Sequence, residues 1–181
     1  MRLTVRVALS ASAWPLGIQA GLKLPTGNFD VDNEEGETAG RTLQPGCGTT
    51  DSLLGAYTQG AFLSPNTTWF VQGQWQKPLN ARNQFKPGYQ FTLDTGLRYR
   101  ANSAVNLLLQ LNTLRKGRDS GDDAEPDDSG SRYLLLSPGI SVKLTDYLQG
   151  YAFWQLPLYQ YVNGVQLTAD AAWSAGVSAR F

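Results

Sequence analysis

The residues of this sequence that could do chemistry are charged, and they fall into two patterns. Eleven of the fifteen acidic side chains crowd into two stretches: Asp30, Asp32, Glu34, Glu35 and Glu37, then Asp119, Asp122, Asp123, Glu125, Asp127 and Asp128. Such density could bind calcium. Yet "DSGDDAEPDD" (119–128) lacks the D-x-D-x-D-G ligand order and closing Glu of a dedicated calcium loop. A solvated loop that shares divalent ions with lipopolysaccharide is the better reading, and no resident metal or other cofactor is expected. The basic residues are spread singly. Arg2, Arg6, Lys23, Arg98, Arg100, Lys143 and Arg180 alternate with apolar positions, as do Asp94 and Asp170. Gathered on one surface they would favour anionic solutes, aromatic carboxylates included. The same charges could instead knit a salt-bridge and hydrogen-bond network that fills a narrow lumen and passes nothing. Both readings stand at this level.

Catalysis finds little support. The chain has no histidine, which removes a His-based triad and a His-ligated metal from it. A Lys or carboxylate base remains chemically open, but nothing marks one, and no enzyme is expected. A formal net charge of zero argues against a nucleic-acid partner. Cys47 is the single cysteine, so no internal disulfide can form. It is given no role.

What must position the charges is a period of two. At the C-terminus, "AAWSAGVSARF" sets Trp173, Ala175, Val177, Ala179 and Phe181 against Asp170, Ser174, Gly176, Ser178 and Arg180. The same alternation runs through Leu3–Leu9 and through 14–24, with Trp14, Leu16, Ile18 and Leu22 opposing Gln19 and Lys23. In 51–63 the preferred apolar set is Leu54, Ala56, Thr58, Gly60 and Phe62. Trp69, Val71 and Trp75 then oppose Gln72, Gln74 and Gln76. Tyr89, Phe91, Leu93, Leu97 and Tyr99 oppose Gln90, Thr92, Asp94, Arg98 and Arg100. Leu107, Leu109 and Leu111 oppose Asn106, Gln110 and Asn112. Leu134, Leu136, Ile140 and Val142 oppose Tyr133, Ser137, Ser141 and Lys143. Leu148, Ala152, Trp154, Leu156 and Leu158 oppose Gln149, Tyr151 and Gln155. At the N-terminus "ASA" before Trp14 imitates a signal-peptidase site. Arg6 interrupts the apolar stretch that a signal would need, so a strand is expected there.

Nine strands follow, with tight turns near 10–13, 64–67, 101–104 and 145–146. Long loops lie at about 26–50, 78–88 and 117–131, and an intermediate connection at 159–165. The expected fold is all-β: one domain over 1–181, an antiparallel up-and-down transmembrane β-barrel with short turns on the periplasmic rim. The apolar sets carry no charge away from strand ends, and Trp14, Phe62, Trp69, Tyr99 and Phe181 ring the short-turn end as an interfacial girdle would. The rival is a soluble barrel or sandwich with a core of Leu and Trp. Loop asymmetry, girdle and terminal Phe favour a bacterial outer membrane. Trp173, Val177 and Phe181 would then form the assembly signal presented to the barrel-insertion machinery. The lumen-lining candidates are Lys23, Asp94, Arg98, Arg100, Lys143, Tyr151, Asp170 and Arg180.

"GLKLPTG" (21–27), "LQPGCGTTD" (43–51) and the "LLGAY" just after resemble the outer-membrane transporters grouped under the meta-pathway of phenol degradation. These stretches fall within residues 21–57, about a fifth of the chain. The likeness implies a barrel related in role to long-chain fatty-acid and toluene channels, passing small hydrophobic or aromatic compounds. No binding residues carry over. Members of that family are longer, and nine strands would leave the first and last parallel. Either residues 1–13 lie in the periplasm and eight strands close, or upstream strands are missing. The second is preferred, and the chain is expected to be part of a larger even-stranded barrel that lacks an N-terminal portion. A non-conducting structural barrel is the alternative.

Overall fold

The computed structural model describes residues 1–10, 15–32, 36, 44–62 and 64–179. Among them are nine strands and no helix: β1 (Arg2–Ala8), β2 (Leu16–Lys23), β3 (Asp51–Phe62), β4 (Ser64–Pro78), β5 (Gln90–Arg100), β6 (Val105–Lys116), β7 (Ser131–Lys143), β8 (Leu148–Val162) and β9 (Ala172–Ala179). They form one sheet in sequence order, each strand antiparallel to the next. β1 and β9 therefore run in the same direction.

Cross-strand partners share a face, so the register sorts every side chain. Leu3, Val5 and Val7 meet Leu22, Ala20 and Ile18. Ala20 meets Leu54, and Ala56 meets Gly73. Trp69 meets Leu97, Leu97 meets Leu109, and Leu109 meets Pro138. This continuous apolar face is exposed along its length, at Leu3, Val5, Leu54, Leu97, Leu109 and Trp154 among others. The facing chosen for 51–63 is the one observed. The hydrophobic residues that are buried, among those described, are Leu53 and Phe85, and neither belongs to that face.

The opposite face carries the buried polar groups Gln19, Asp51, Gln76, Asn106, Ser137 and Ser141. It is also the concave face. In a flat sheet β1 and β4 would lie three spacings, roughly 14 Å, apart. Yet Arg2 donates to Gln76 Oε1 at 2.9 Å, and Arg6 Nη2 donates to Gln72 Oε1 at 3.1 Å. Gln19 Nε2 reaches Gln74 Oε1 at 2.9 Å across two spacings. Asp51, 2% exposed, accepts from Lys23, Gln76 and Thr49 at 3.0, 2.6 and 2.8 Å. Curling the sheet brings these groups into mutual reach and leaves no buried side-chain polar atom without a partner among the described residues.

Aromatic rings on this face lie across glycines of the adjacent strand. Tyr57 covers Gly17, Phe70 covers Gly96, Phe153 covers Gly139 and Tyr151 covers Gly176, each pair in direct register. A Cβ on any of these glycines would occupy the space of the ring. The missing side chain lets each ring lie down on the sheet instead of filling the concavity.

Two connections differ from expectation. Ser64–Thr67, expected as a turn, opens β4: Phe62 pairs with Ser64 and Ala61 with Thr68 across a bulge. Pro65 fits there because a bulge asks no ladder hydrogen bond of it. β8 continues to Val162 where a turn was expected from 159, and a register shift at Leu134/Leu135 carries Tyr159 and Tyr161 onto the apolar face. The tight turns at 101–104 and 145–147 are closed by Asn102 and Thr145, which accept from the backbone N–H of Val105 and Leu148. Residues 11–14 lie outside the described residues. At the long-loop end, 79–89 and 117–130 pack together: Lys86 and Ser120 exchange backbone bonds around buried Phe85.

Because Asp51 gathers three donors in a buried position, Asp51→Ala should lower stability by about 2–3 kcal/mol, below the range for fully buried pairs since Lys23 is partly exposed. Denaturant unfolding of the folded protein measures it. An unchanged midpoint would show that the concave network contributes nothing.

Candidate functional site

The concave face has three zones. The first, on β1–β4 toward the long-loop end, is the network just described. Lys23 belongs to it, ion-paired to Asp51 at 3.0 Å, and Arg6 also sits 5.4 Å over the Tyr57 ring. Its polar atoms already satisfy one another.

The second zone is a cavity of about 610 Å³ at the short-turn end, walled by Arg98, Arg100, Asn106, Lys143, Asp146 and Gln149 among others. Period two puts Arg98 and Arg100 on one face of β5, and the register sets Arg100 beside Asn106. Asn106 Nδ2 and Gln149 Nε2 both donate to Ser141 Oγ, at 3.2 and 2.6 Å, which fixes the cavity wall. Lys143 Nζ lies 2.6 Å from Asp146 Oδ1. That hydrogen bond and the Lys143 charge hold the exposed Asp146 carboxyl below the usual carboxylate range. Arg98 and Arg100 have no ion pair among the described residues. Two guanidinium groups with free donors on a cavity wall can take a carboxylate.

The third zone is apolar. Leu114, Tyr133, Leu135 and Pro157 share the concave face of β6–β8, and with Leu167, Gln155 and Gln160 they line a cavity of about 300 Å³. An aromatic ring would find apolar walls here and amide groups beside it.

Of the expected lumen residues, Arg98, Arg100 and Lys143 come together. Lys23 lies in the separate β1–β4 network. Asp94 is not balanced by a base: it accepts from Asn112 Nδ2 at 2.8 Å, and Asn112 in turn accepts from Ser137 at 2.6 Å. Tyr151 lies on the concave face against Gly176. Asp170 is displaced from the expected strand, because β9 begins at Ala172 and leaves it exposed in the preceding connection. Arg180 and Phe181 lie outside the described residues. Trp173 and Val177 are on the apolar face, with Trp173 stacked on Trp154 at 5.4 Å.

The apolar zone escaped the sequence reading. Its signal was present in the run "LLL" at 134–136. Three consecutive leucines in a strand force at least one onto the polar side, and Leu135 is that residue. The acidic loop is also less solvated than expected. Asp119 is buried, salt-bridged to Lys116 at 3.1 Å and accepting from the Gly88 N–H at 2.7 Å. Glu34, Glu35 and Glu37 lie outside the described residues.

In comparisons with known proteins, no family model and no curated protein matches this chain.

The apolar zone makes a direct prediction. Leu135→Gln should weaken binding of a neutral naphthol probe about three- to tenfold, from lost apolar contact. A fluorescence titration reads it, and unchanged affinity would remove this cavity as a ring site.

Proposed function

We propose that this chain builds the wall of a bacterial outer-membrane β-barrel whose apolar face meets lipid. Its concave face lines a passage for small hydrophobic or aromatic organic solutes, favouring those that carry a carboxylate. One observation carries the reading: exposed large apolar residues run across one face of the sheet, while the buried side chains among the described residues are mostly polar. Water would penalise that arrangement, whereas a bilayer rewards it.

Aromatic positions support the same geometry. Trp69 and Tyr99 lie on the apolar face near the short-turn end, and Trp75, Tyr89 and Phe91 cluster on it near the long-loop end. Phe91 and Tyr99 are eight residues apart on β5, roughly 27 Å along a strand. A tilt of about 40° reduces that to about 20 Å of height, near the apolar band of such barrels. The likeness of 21–27 and 43–51 to the phenol meta-pathway transporters points to the same solute class and rests on those stretches alone. The apolar zone and the paired arginines supply what such a solute needs, a ring site and an anion site. The alternative, a barrel filled by its own side chains, draws on the self-satisfied network of β1–β4.

Insertion separates membrane from soluble readings. Leu109→Arg, on the apolar face at mid-strand, should cost about 2–4 kcal/mol of insertion energy and impair folding into vesicles. Gln110→Arg on the concave face should be tolerated. Equal tolerance at both positions, or recovery of the protein as a detergent-free monomer, would sink the membrane reading.

Conduction separates passage from filling. Liposome swelling should show entry of benzoate-like acids, and Arg98→Ala with Arg100→Ala should slow that entry several-fold while sparing neutral phenols. A barrel that inserts and passes no solute is a filled one.

A further inference from the structure

The apolar face carries one anomaly. Arg115 and Arg132 stand directly opposite each other on β6 and β7, one residue inside the long-loop end, in phase with Leu109, Leu111, Leu134 and Leu136. Like charges directly opposite across a strand pair repel. Both side chains are exposed, and among the described residues neither has an ion pair. Their cationic neighbours are already matched, Lys116 by Asp119 at 3.1 Å and Arg118 by Asp127 at 2.8 Å. At this end of β6 and β7 the unmatched charge is therefore confined to the outward pair.

The surroundings are shaped. Arg115, Arg132, Tyr89, Tyr159 and Tyr161 line a cavity of about 430 Å³. Tyr161 is the register partner of Arg132, and Phe91 that of Arg115. Tyr89 stacks on Trp75 with ring centroids 4.6 Å apart, closing the β4 side with aromatic surface. These two arginines and three tyrosines thus line one cavity at the long-loop end of the apolar face.

We infer that this cavity binds the phosphorylated sugar headgroup of a glycolipid, with Arg115 and Arg132 sharing the phosphate and the acyl chains lying down the apolar face below. Guanidinium pairs suit phosphate through paired N–H donors, and a bound dianion removes the repulsion between them. A lipid fits better than a free anion because Arg115, Arg132, Tyr159 and Tyr161 of the cavity lining stand on the apolar face, in phase with Leu111 and Leu134. The inference rests on the membrane reading above. It specifies the long-loop end as the rim facing the lipopolysaccharide leaflet.

The test uses the full chain. Insertion into phosphatidylcholine vesicles is measured first, since it does not involve the two arginines and tests the membrane reading by itself. Binding of bisphosphorylated lipid A, dephosphorylated lipid A and inorganic phosphate is then measured in one zwitterionic detergent. Lipid A should bind roughly tenfold or more tightly than its dephosphorylated form, as expected for charge-assisted phosphate contacts. Arg115→Gln with Arg132→Gln should abolish that difference, and the Lys pair should restore part of it. Insertion with unchanged lipid A binding in the Gln variant overturns the site and leaves the membrane reading intact. Equal affinity for inorganic phosphate overturns the lipid assignment. Failure of the native chain to insert overturns both.

Discussion

The structure depends on a single sheet having to dispose of two unlike faces. A strand presents alternate residues to opposite sides, and this chain supplies polar groups to one side and apolar groups to the other through nine strands. No helix and no second sheet, among the described residues, covers either face. The sheet curls so that the polar side encloses itself, and Arg2, Arg6, Gln19, Gln72, Gln74 and Gln76 bond one another across strands that are not neighbours. That choice leaves the apolar side convex and bare. The hydrogen bonds across the curled sheet thus leave its outer surface apolar, as the proposed membrane reading requires.

Curling makes the inside of the sheet scarce space, and the glycines show how that space is kept. A ring standing upright at Tyr57, Phe70, Tyr151 or Phe153 would project into the concavity. Each lies instead across a glycine of the adjoining strand. The face is thereby lined with ring faces and amides, and the cavities around Arg98 and around Leu135 stay open. Gly17, Gly96, Gly139 and Gly176 act through what they omit. In a strand interior glycine ordinarily weakens the structure, so its use against aromatic partners indicates that the room it frees has value.

How much of this was legible follows from what period two can and cannot encode. Facing was legible wherever polar and apolar residues alternate cleanly, as at Leu109 and Gln110, because a one-residue slip would invert every side chain. Strand order was legible from turn length. Strand ends were not: Tyr159 and Tyr161 reach the apolar face only through the shift at Leu134/Leu135, and a bulge leaves no fixed mark in sequence. The candidate site was legible in part. Arg98 and Arg100 share a face by spacing alone, but their meeting with Lys143 depends on β5 to β7 being consecutive neighbours. The apolar zone was hidden because a run such as Leu134–Leu136 tells only that one residue must face inward, not where its neighbours will gather.

Height along the strand decides which charges the apolar face can carry. Arg115, Arg132 and Lys77 are in phase with apolar residues, and each lies within one residue of the long-loop end of its strand. None occurs at mid-strand on that face. A core-forming sheet face would exclude charge along its whole length, because no part of it touches water. A lipid-facing one excludes charge only at depth and accepts it at the rim, where headgroups are anionic and a long side chain can reach them. The two models assign Arg115 and Arg132 opposite meanings: defects in a core edge, or cations set at headgroup level. Their company of Trp75, Tyr89, Tyr159 and Tyr161 supports the second, which the proposed membrane reading requires, since aromatic rings with polar tips collect at a membrane interface.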